Sequence, residues 1–354
     1  MSVFRVLGEE VVTKSEYLES RSADPDRPSP LEAALGGAKG LESDLTGATQ
    51  FVPIGSGQPL TVLIREVYTG KHPKKTILGG GDKSMLVTTA LKGYATYAPA
   101  SRAVNFAEPG IGSRRQLVAP SAVNAGTNVV AYSPAVLTDQ LIFTVEMAFD
   151  RFPEGLLNTI ASSFTKAAAV PLLLPAREYL LAAGGLLKIA TDWADALVDG
   201  EPAFSSTDTI DFDIPGVVPA KADFRVMGSE DHRGLTYKPG LGLVSATGTR
   251  YDGDSPYVVV SLDGAERKSL ESFAPTLATA EQLKKFLNAK TGAEASIDAL
   301  MQGIQLANDI AYREQALKLQ AEISAETDAK QKEAKTKRLE AIKKNILTAE
   351  LKPG

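Results

Sequence analysis

The sequence predicts an α+β protein: two antiparallel β-sandwich-like blocks separated by an apolar helical segment and followed by a helical C-terminal region. Three observations predict it. Between Leu141 and Phe149, Leu141, Phe143, Val145, Met147 and Phe149 alternate with Ile142, Thr144, Glu146 and Ala148, the period of a strand with one face on a core. After Phe152-Pro153-Glu154, leucine and alanine replace valine and threonine as far as Asp199-Gly200, a composition that favours helix. Beyond Thr279, Ile297, Leu300, Met301, Ile304, Ala307 and Ala311 recur at helical spacing behind a helix start at Ser296.

In order along the chain, residues 1–50 read as an N-terminal arm and linker. Phe4–Val12 is a short strand, and the mixture of prolines, serines, aspartates and arginines from Ser20 to Pro30 is a loop. Residues 51–152 form the first β-sandwich-like domain. Its strands are Leu60–Tyr68, rich in β-branched residues, Met85–Leu91, Asn128–Tyr132 and Leu141–Phe149, punctuated by glycine and proline at intervals suited to an antiparallel sandwich or barrel. Residues 153–200 are the apolar helical segment, broken near Pro171 and Pro175 and again at Gly184-Gly185. Residues 201–278 form a second β-rich domain, with Ile210, Phe212 and Ile214 alternating with Asp211 and Asp213, Phe224–Met227 apolar, and Tyr257–Leu262 a run of strong β formers. Residues 279–354 are the C-terminal helical region with a basic tail. Whether the two strand blocks make one sheet system or two domains is open at this level, because long-range strand pairing leaves no local signal.

Composition excludes several functions. With 44% hydrophobic residues, 354 positions are ample for a buried core. A net charge of −5 gives no reason to expect nucleic acid as a partner. The absence of cysteine removes disulfides, thiolate metal sites and cysteine nucleophiles. The opening Met1-Ser2-Val3-Phe4-Arg5 lacks the charged-then-apolar run of a secretory signal, so a cytoplasmic location, peripheral to a membrane at most, is expected.

The central apolar segment has two readings. Ala167–Leu187 carries only Arg177 and Glu178 as charges and has about the length that crosses a bilayer, yet its prolines, glycines and central charge pair oppose a simple span. It is either the buried helical heart of the protein or a membrane-active element held under cover by the region after Thr279. Its contact residues in either case are Leu172, Leu173, Leu174, Leu180, Leu181, Leu186, Leu187 and Trp193, the tryptophan covering a core edge or sitting at a membrane interface.

No catalytic, cofactor or metal set is expected. His72, in Lys71-His72-Pro73-Lys74-Lys75, and His232, in Glu230-Asp231-His232-Arg233, both read as exposed loop residues, and no pair has the spacing of a zinc site. Gly79-Gly80-Gly81-Asp82-Lys83-Ser84 places Asp82 where a phosphate loop needs glycine and leads into a strand. Gly110-Ile111-Gly112-Ser113-Arg114-Arg115 lacks dinucleotide spacing, and its arginines read as a solvated surface or a partner contact. Asp208, Asp211 and Asp213 read as the solvent face of a strand.

Gly81–Gly93 and Gly253–Gly264 share the order Gly-Asp, a polar step, a β run and a closing glycine. The second, with Tyr251-Asp252 before it and Ser255-Pro256-Tyr257 within it, resembles the aspartate-proline-tyrosine strand signature of C2 domains, and Leu60-Thr61-Val62 with Arg65-Glu66 resembles the opening strand of such a domain. The resemblance covers about a quarter of the chain. It implies an eight-stranded sandwich that meets membranes or proteins through its loops, with Asp252, Asp254 and Asp82 at the positions where calcium-binding members place aspartates. Ser255 splits the family's aspartate-proline order, and no upstream loop supplies a second aspartate cluster.

The tail holds Lys330, Lys332, Lys335, Lys337, Arg338, Lys343 and Lys344 against Glu333 and Glu340. On a helix, Lys335, Lys337 and Arg338 would meet an acidic partner or anionic lipid. The expected function is therefore a non-enzymatic interaction or scaffold protein that docks protein partners through its sandwich and its C-terminal helices. The alternative is an autoinhibited membrane-acting effector, of toxin or defence type, whose segment 156–198 is exposed by proteolysis or partner release.

Overall fold

The segment that composition reads as an arm runs through the middle of the largest sheet. In the computed structural model the described residues are 2–23, 52–71, 83–93, 101–118, 128–133, 136, 139–150, 170–171, 179–182, 185–188, 202–214, 216–265, 267 and 297–354. Strand β1 (Ser2–Leu7) turns through Gly8-Glu9 into β2 (Glu10–Thr13). Gly8 has φ 70° while Glu9 does not enter the positive region, the arrangement of a II′ hairpin turn. Thr13 then opens helix α1 (Lys14–Ala23) with a capping box: the Glu16 N–H donates to Thr13 Oγ1 at 3.2 Å and the Thr13 N–H donates to Glu16 Oε2 at 2.7 Å.

The remaining strands are β3 (Leu60–Tyr68), β4 (Lys83–Gly93), β5 (Ser101–Ile111), β6 (Gln116–Val118), β7 (Val129–Ser133), β8 (Gln140–Asp150), β9 (Val170–Pro171), β10 (Tyr179–Ala182), β11 (Gly185–Lys188), β12 (Pro202–Asp211), β13 (Asp223–Gly228), β14 (Thr236–Lys238), β15 (Gly242–Val244) and β16 (Tyr257–Asp263). A large antiparallel sheet has the order β15-β14-β2-β1-β13-β16-β3-β6, with β7 also on β3; a second has the order β12-β8-β4-β5-β9. Strands from both expected blocks pair directly, β3 with β16 and β8 with β12, so the two blocks form one sheet system. Leu60, Val62 and Ile64 of β3 and Val258, Val260 and Leu262 of β16 meet Met85, Val87, Phe143, Val145, Met147 and Phe204 of the smaller sheet in one apolar layer. The two Gly-Asp-led runs lie in different sheets, β4 in the smaller and β16 in the larger.

One irregularity controls which side chains reach the opposite face of the large sheet. The register of β3 against β16 runs Ile64↔Val260 and then Glu66↔Val259, leaving Arg65 as a bulge. Strict alternation from Leu60, Val62 and Ile64 would send Glu66 into the layer between the sheets. The bulge puts Val67 there instead and turns Glu66 and Tyr68 to the other face. On that face Phe4, Val6, Val11, Tyr68, Phe224, Val226, Tyr237, Leu243, Tyr257 and Val259 form a second apolar cluster, covered by the β14–β15 hairpin.

The central segment departs from expectation. Where residues 153–200 are described, they are strand rather than helix: β9 extends the smaller sheet, and β10 and β11 pair as a hairpin with Leu180↔Leu187 and Leu181↔Leu186 in register. Pro175 and Gly184-Gly185 leave too few residues between them for a helix to nucleate, whereas Tyr-Leu-Leu-Ala and Gly-Leu-Leu-Lys flank a two-residue link, the length of a β-hairpin. Leu172, Leu173, Leu174 and Trp193 lie outside the described residues.

The C-terminal region is a helix pair, α2 (Ile297–Ala325) and α3 (Ala329–Asn345), closed by a 3₁₀ turn at Ala349–Leu351. α2 begins one residue after Ser296. Ala316, Leu319, Leu339 and Ile342 form its core, with Tyr312 and Ile323 packed beside them. Asp328 caps α3 by accepting the N–H groups of Lys330 and Gln331. Buried Asp309 accepts the N–H groups of Leu347 at 3.1 Å and Thr348 at 2.7 Å, fixing the chain beyond α3. No helix among the described residues is long and apolar enough to cross a membrane, which says nothing of strands.

Candidate functional site

Perturbed titratable groups gather beneath the β14–β15 hairpin. Glu66 is 1% exposed. Its Oε1 accepts the Gly240 N–H at 2.9 Å and lies 3.5 Å from the Tyr237 hydroxyl, and its Oε2 accepts Gln116 Nε2 at 2.8 Å. Burial pushes the carboxyl up to about 7, against the pull of those three donors and of Arg250. Tyr257 stacks on Tyr68 at 5.1 Å between centroids and accepts the Leu243 N–H at 3.1 Å. Burial raises the phenols of Tyr237 and Tyr257 well above their usual range and that of Tyr68 to about 12, so all three are neutral.

His232 belongs to the same face. The sequence reads it as an exposed loop residue; the structure corrects this, since it is 1% exposed with its ring edge-on to Phe4, Tyr251 and Tyr257. It sits against Gly228, where any Cβ would stand 2.7 Å from its Nε2. Neither ring nitrogen has a hydrogen-bond partner, and burial lowers its pKa to about 4 despite neighbouring Asp231. Tyr257 thus feels the field of an acid pushed up and packs edge-on against an imidazole pushed down. Local sequence gives no sign of this, because the polar turn around His232 is folded inward by β-strands distant in the chain.

Of the aspartates named by the C2 resemblance, Asp252 and Asp254 lie in the segment just ahead of β16 of the large sheet. Asp254 is the ligand position that the structure describes most fully, and both its oxygens are taken by cations: Arg114 Nη2 at 2.7 Å and Lys71 Nζ at 3.1 Å. Asp252 is exposed, and Asp82 lies outside the described residues, as does His72. Arg114 holds φ 57°, alone among described non-glycine residues in the positive region. Its own N–H donates to the Gly70 carbonyl at 2.6 Å, and Thr69 Oγ1 accepts the Arg115 N–H and donates to Gly112, so the two loops are pinned to each other. Among the described residues no group of three or more His, Asp or Glu could hold a metal ion.

The acidic strand of the second block also departs from expectation. Asp213 is exposed, but Asp208 and Asp211 are buried, because β12 lies over the centre of the large sheet. Asp208 binds Arg5 and Arg225, which are cross-strand neighbours on β1 and β13, each at 2.7 Å. Arg225 also reaches Asp223 at 3.1 Å. Burial opposes the charge on Asp208, yet Arg225 and Arg5 outweigh it and hold the carboxyl below its usual range.

In the basic tail, Lys335 pairs with Glu326 at 2.9 Å and Lys337 with Glu333 at 2.7 Å, so both are partly neutralised within the helix pair. Arg338 points away from them: its stem packs on Gly57 (φ 72°), tying α3 to the loop ahead of β3. On α2, Leu306, Ile310 and Leu317 are 47%, 44% and 46% exposed, and spacings of four and seven residues set them within about 40° of one another. No family model, curated protein or solved structure matches the chain.

Proposed function

We propose that the protein is a non-enzymatic docking protein whose β-sandwich is the base for a helix pair that takes a helical segment of a protein partner. The observation that carries this reading is the stripe Leu306, Ile310 and Leu317, exposed on a helix whose other side already packs on α3. Large apolar side chains aligned at helical spacing are what an amphipathic partner helix lies against. Exposed Arg313 and Glu314 flank the stripe with charge of both signs, the polar rim of such a contact. The test places a photo-cross-linking residue at Arg313, within about 60° of all three stripe residues on the helix, in the full-length chain, with and without L306E/I310E/L317E, in the producing cell. A cross-link to a second, different protein that disappears in the charged variant, at unchanged melting temperature, supports the reading. Adducts only with lipid or with another copy of the chain overturn it.

A second reading, the membrane-acting effector restrained by its own C-terminal region, is favoured by one observation: α2 runs beside β11, so the C-terminal helix lies against the hairpin of the central apolar segment. Its test is dye release from anionic liposomes by intact protein and by protein cut near Thr279. Release only after cutting supports the effector, and no release from either form leaves the docking reading.

A further inference from the structure

The large sheet rolls until its two ends meet, and no strand ladder joins them. Among the described residues β15 pairs only with β14 and β6 only with β3, apart from a single bridge from Val244 to Arg250. The join between the ends is made by side chains. Glu66 on β3 accepts the N–H of Gly240 in the β14–β15 turn, and Gln116 on β6 donates to the same carboxyl. Gly242, with φ 90°, presses its bare Cα against Gln116 Nε2, Tyr257 Oη and Glu66 Oε2, a closeness no other residue permits. Behind this seam lies the second apolar cluster.

We propose that Glu66 is a proton-operated latch on this seam: the roll is closed most firmly while the carboxyl is neutral, and the β14–β15 hairpin loosens when it ionises. The inference is independent of the docking reading. The groups facing Glu66 are Tyr237 from β14, Tyr257 from β16, Gln116 from β6 and Arg250 from the segment after β15; Tyr68 is on its own strand, and Arg65 is turned to Ser261 at 2.6 Å. Only Arg250 among those facing residues is a cation, and it is exposed. An ionised Glu66 therefore has hydrogen-bond donors but no buried counter-charge, and opening the hairpin to water relieves it. A neutral Glu66 has a partner ready: Gln116 Oε1 is buried without a hydrogen bond, and rotation of that amide would present an acceptor to the carboxyl proton. The carboxyl's displacement from 4.5 to about 7 in the closed state agrees in sign, since closing then takes up a proton.

The experiment is amide hydrogen exchange of the full-length protein from pH 5 to pH 8, reading Gly240 and Leu243 relative to amides of β4 and β8 in the smaller sheet, with intrinsic rates divided out. Protection of the hairpin is expected to fall on the order of a hundredfold across the window, each pKa unit being a factor of about ten. In Glu66→Gln the same ratio is expected to be flat. Tyr237→Phe, which removes a donor to the anion, keeps the ionisable group and is expected to move the fall to higher pH. A wild-type ratio constant with pH, or the same pH dependence in Glu66→Gln, overturns the proposal.

Discussion

Asp208 on the edge strand of the smaller sheet holds Arg225 in the centre of the larger one at 2.7 Å, with both side chains almost fully buried. The same carboxylate oxygen receives Arg5, so one acidic residue joins two adjacent strands of the opposite sheet. A buried pair of this kind contributes little net stability over an apolar replacement, but removing one member strands the other charge.

Asp208→Asn is accordingly expected to destabilise the fold by about 3–5 kcal/mol, because two buried guanidinium groups are left to share the single carboxylate of Asp223, 3.5 Å from Arg5 and 3.1 Å from Arg225. Denaturant unfolding of the variant against wild type checks this. A loss under about 1 kcal/mol, the range of an exposed pair, would mean that water reaches the cluster.

Glu66 and His232 give opposite pH dependences that cancel over part of the range. The acid has a folded pKa of about 7, above its ordinary 4.5, so its stability contribution is complete below 4.5 and is lost as pH rises to 7. The imidazole has a folded pKa of about 4, below its ordinary 6.5, so its contribution is complete above 6.5 and is lost as pH falls to 4. Between 4.5 and 6.5 the folded protein keeps a proton on Glu66 and the unfolded chain keeps one on His232, and the slopes offset. Wild-type stability from these two groups is expected to be flat there. Glu66→Gln should fall by about 1.4 kcal/mol per unit as pH drops through that window, and His232→Phe should fall by a similar amount as pH rises through it. Urea midpoints at half-unit steps check both signs.

Gly240 and Gly242 both hold positive φ, but their surroundings differ. Gly240 has open space where a Cβ would stand, so Gly240→Ala is expected to cost only about 1–2 kcal/mol for the left-handed backbone. At Gly242 a Cβ would stand 2.8 Å from Tyr257 Oη and 2.9 Å from Glu66 Oε2, and Gly242→Ala should cost clearly more. Thermal unfolding of the two variants side by side tests the order. Equal losses would show that the seam adjusts freely.

Gly57→Ala should undock the helix pair. The added methyl overlaps the Arg338 stem, with Cδ only 2.8 Å from the new carbon, and φ 72° adds strain. Trypsin cleavage within Ala329–Asn345 is expected to quicken roughly tenfold, corresponding to about 1.4 kcal/mol in the opening equilibrium, while the sheets keep their protection. Unchanged cleavage would show that Arg338 is not what holds α3 in place.

The sequence carried the strands with clean alternation or β-branched runs, Leu60–Tyr68, Leu141–Phe149 and Tyr257–Leu262, and the helical stripe behind Ser296, because these signals lie within one element. The capping box Thr13-Lys14-Ser15-Glu16 was equally local and marks a helix in the stretch that composition reads as an arm. The strands Tyr179–Ala182 and Gly185–Lys188 were hidden by leucine and alanine, the strongest helix formers, whose preference is still only on the order of a few tenths of a kcal/mol per residue and yields to hairpin pairing beside β9. Nothing local marks Glu66 or His232 as buried. Their environment is made by a bulge at Arg65, by a hairpin some 170 residues away and by the rolling of one sheet. By itself the sequence determined the predominance of strands, the absence of thiol chemistry and the terminal helices, since composition and periodicity act within a few turns of chain. Only the tertiary structure decided that Ser2–Leu7 is central, that two strand blocks share their sheets, and that Asp208, Glu66 and His232 are buried, because pairing and desolvation depend on residues that meet across the whole chain.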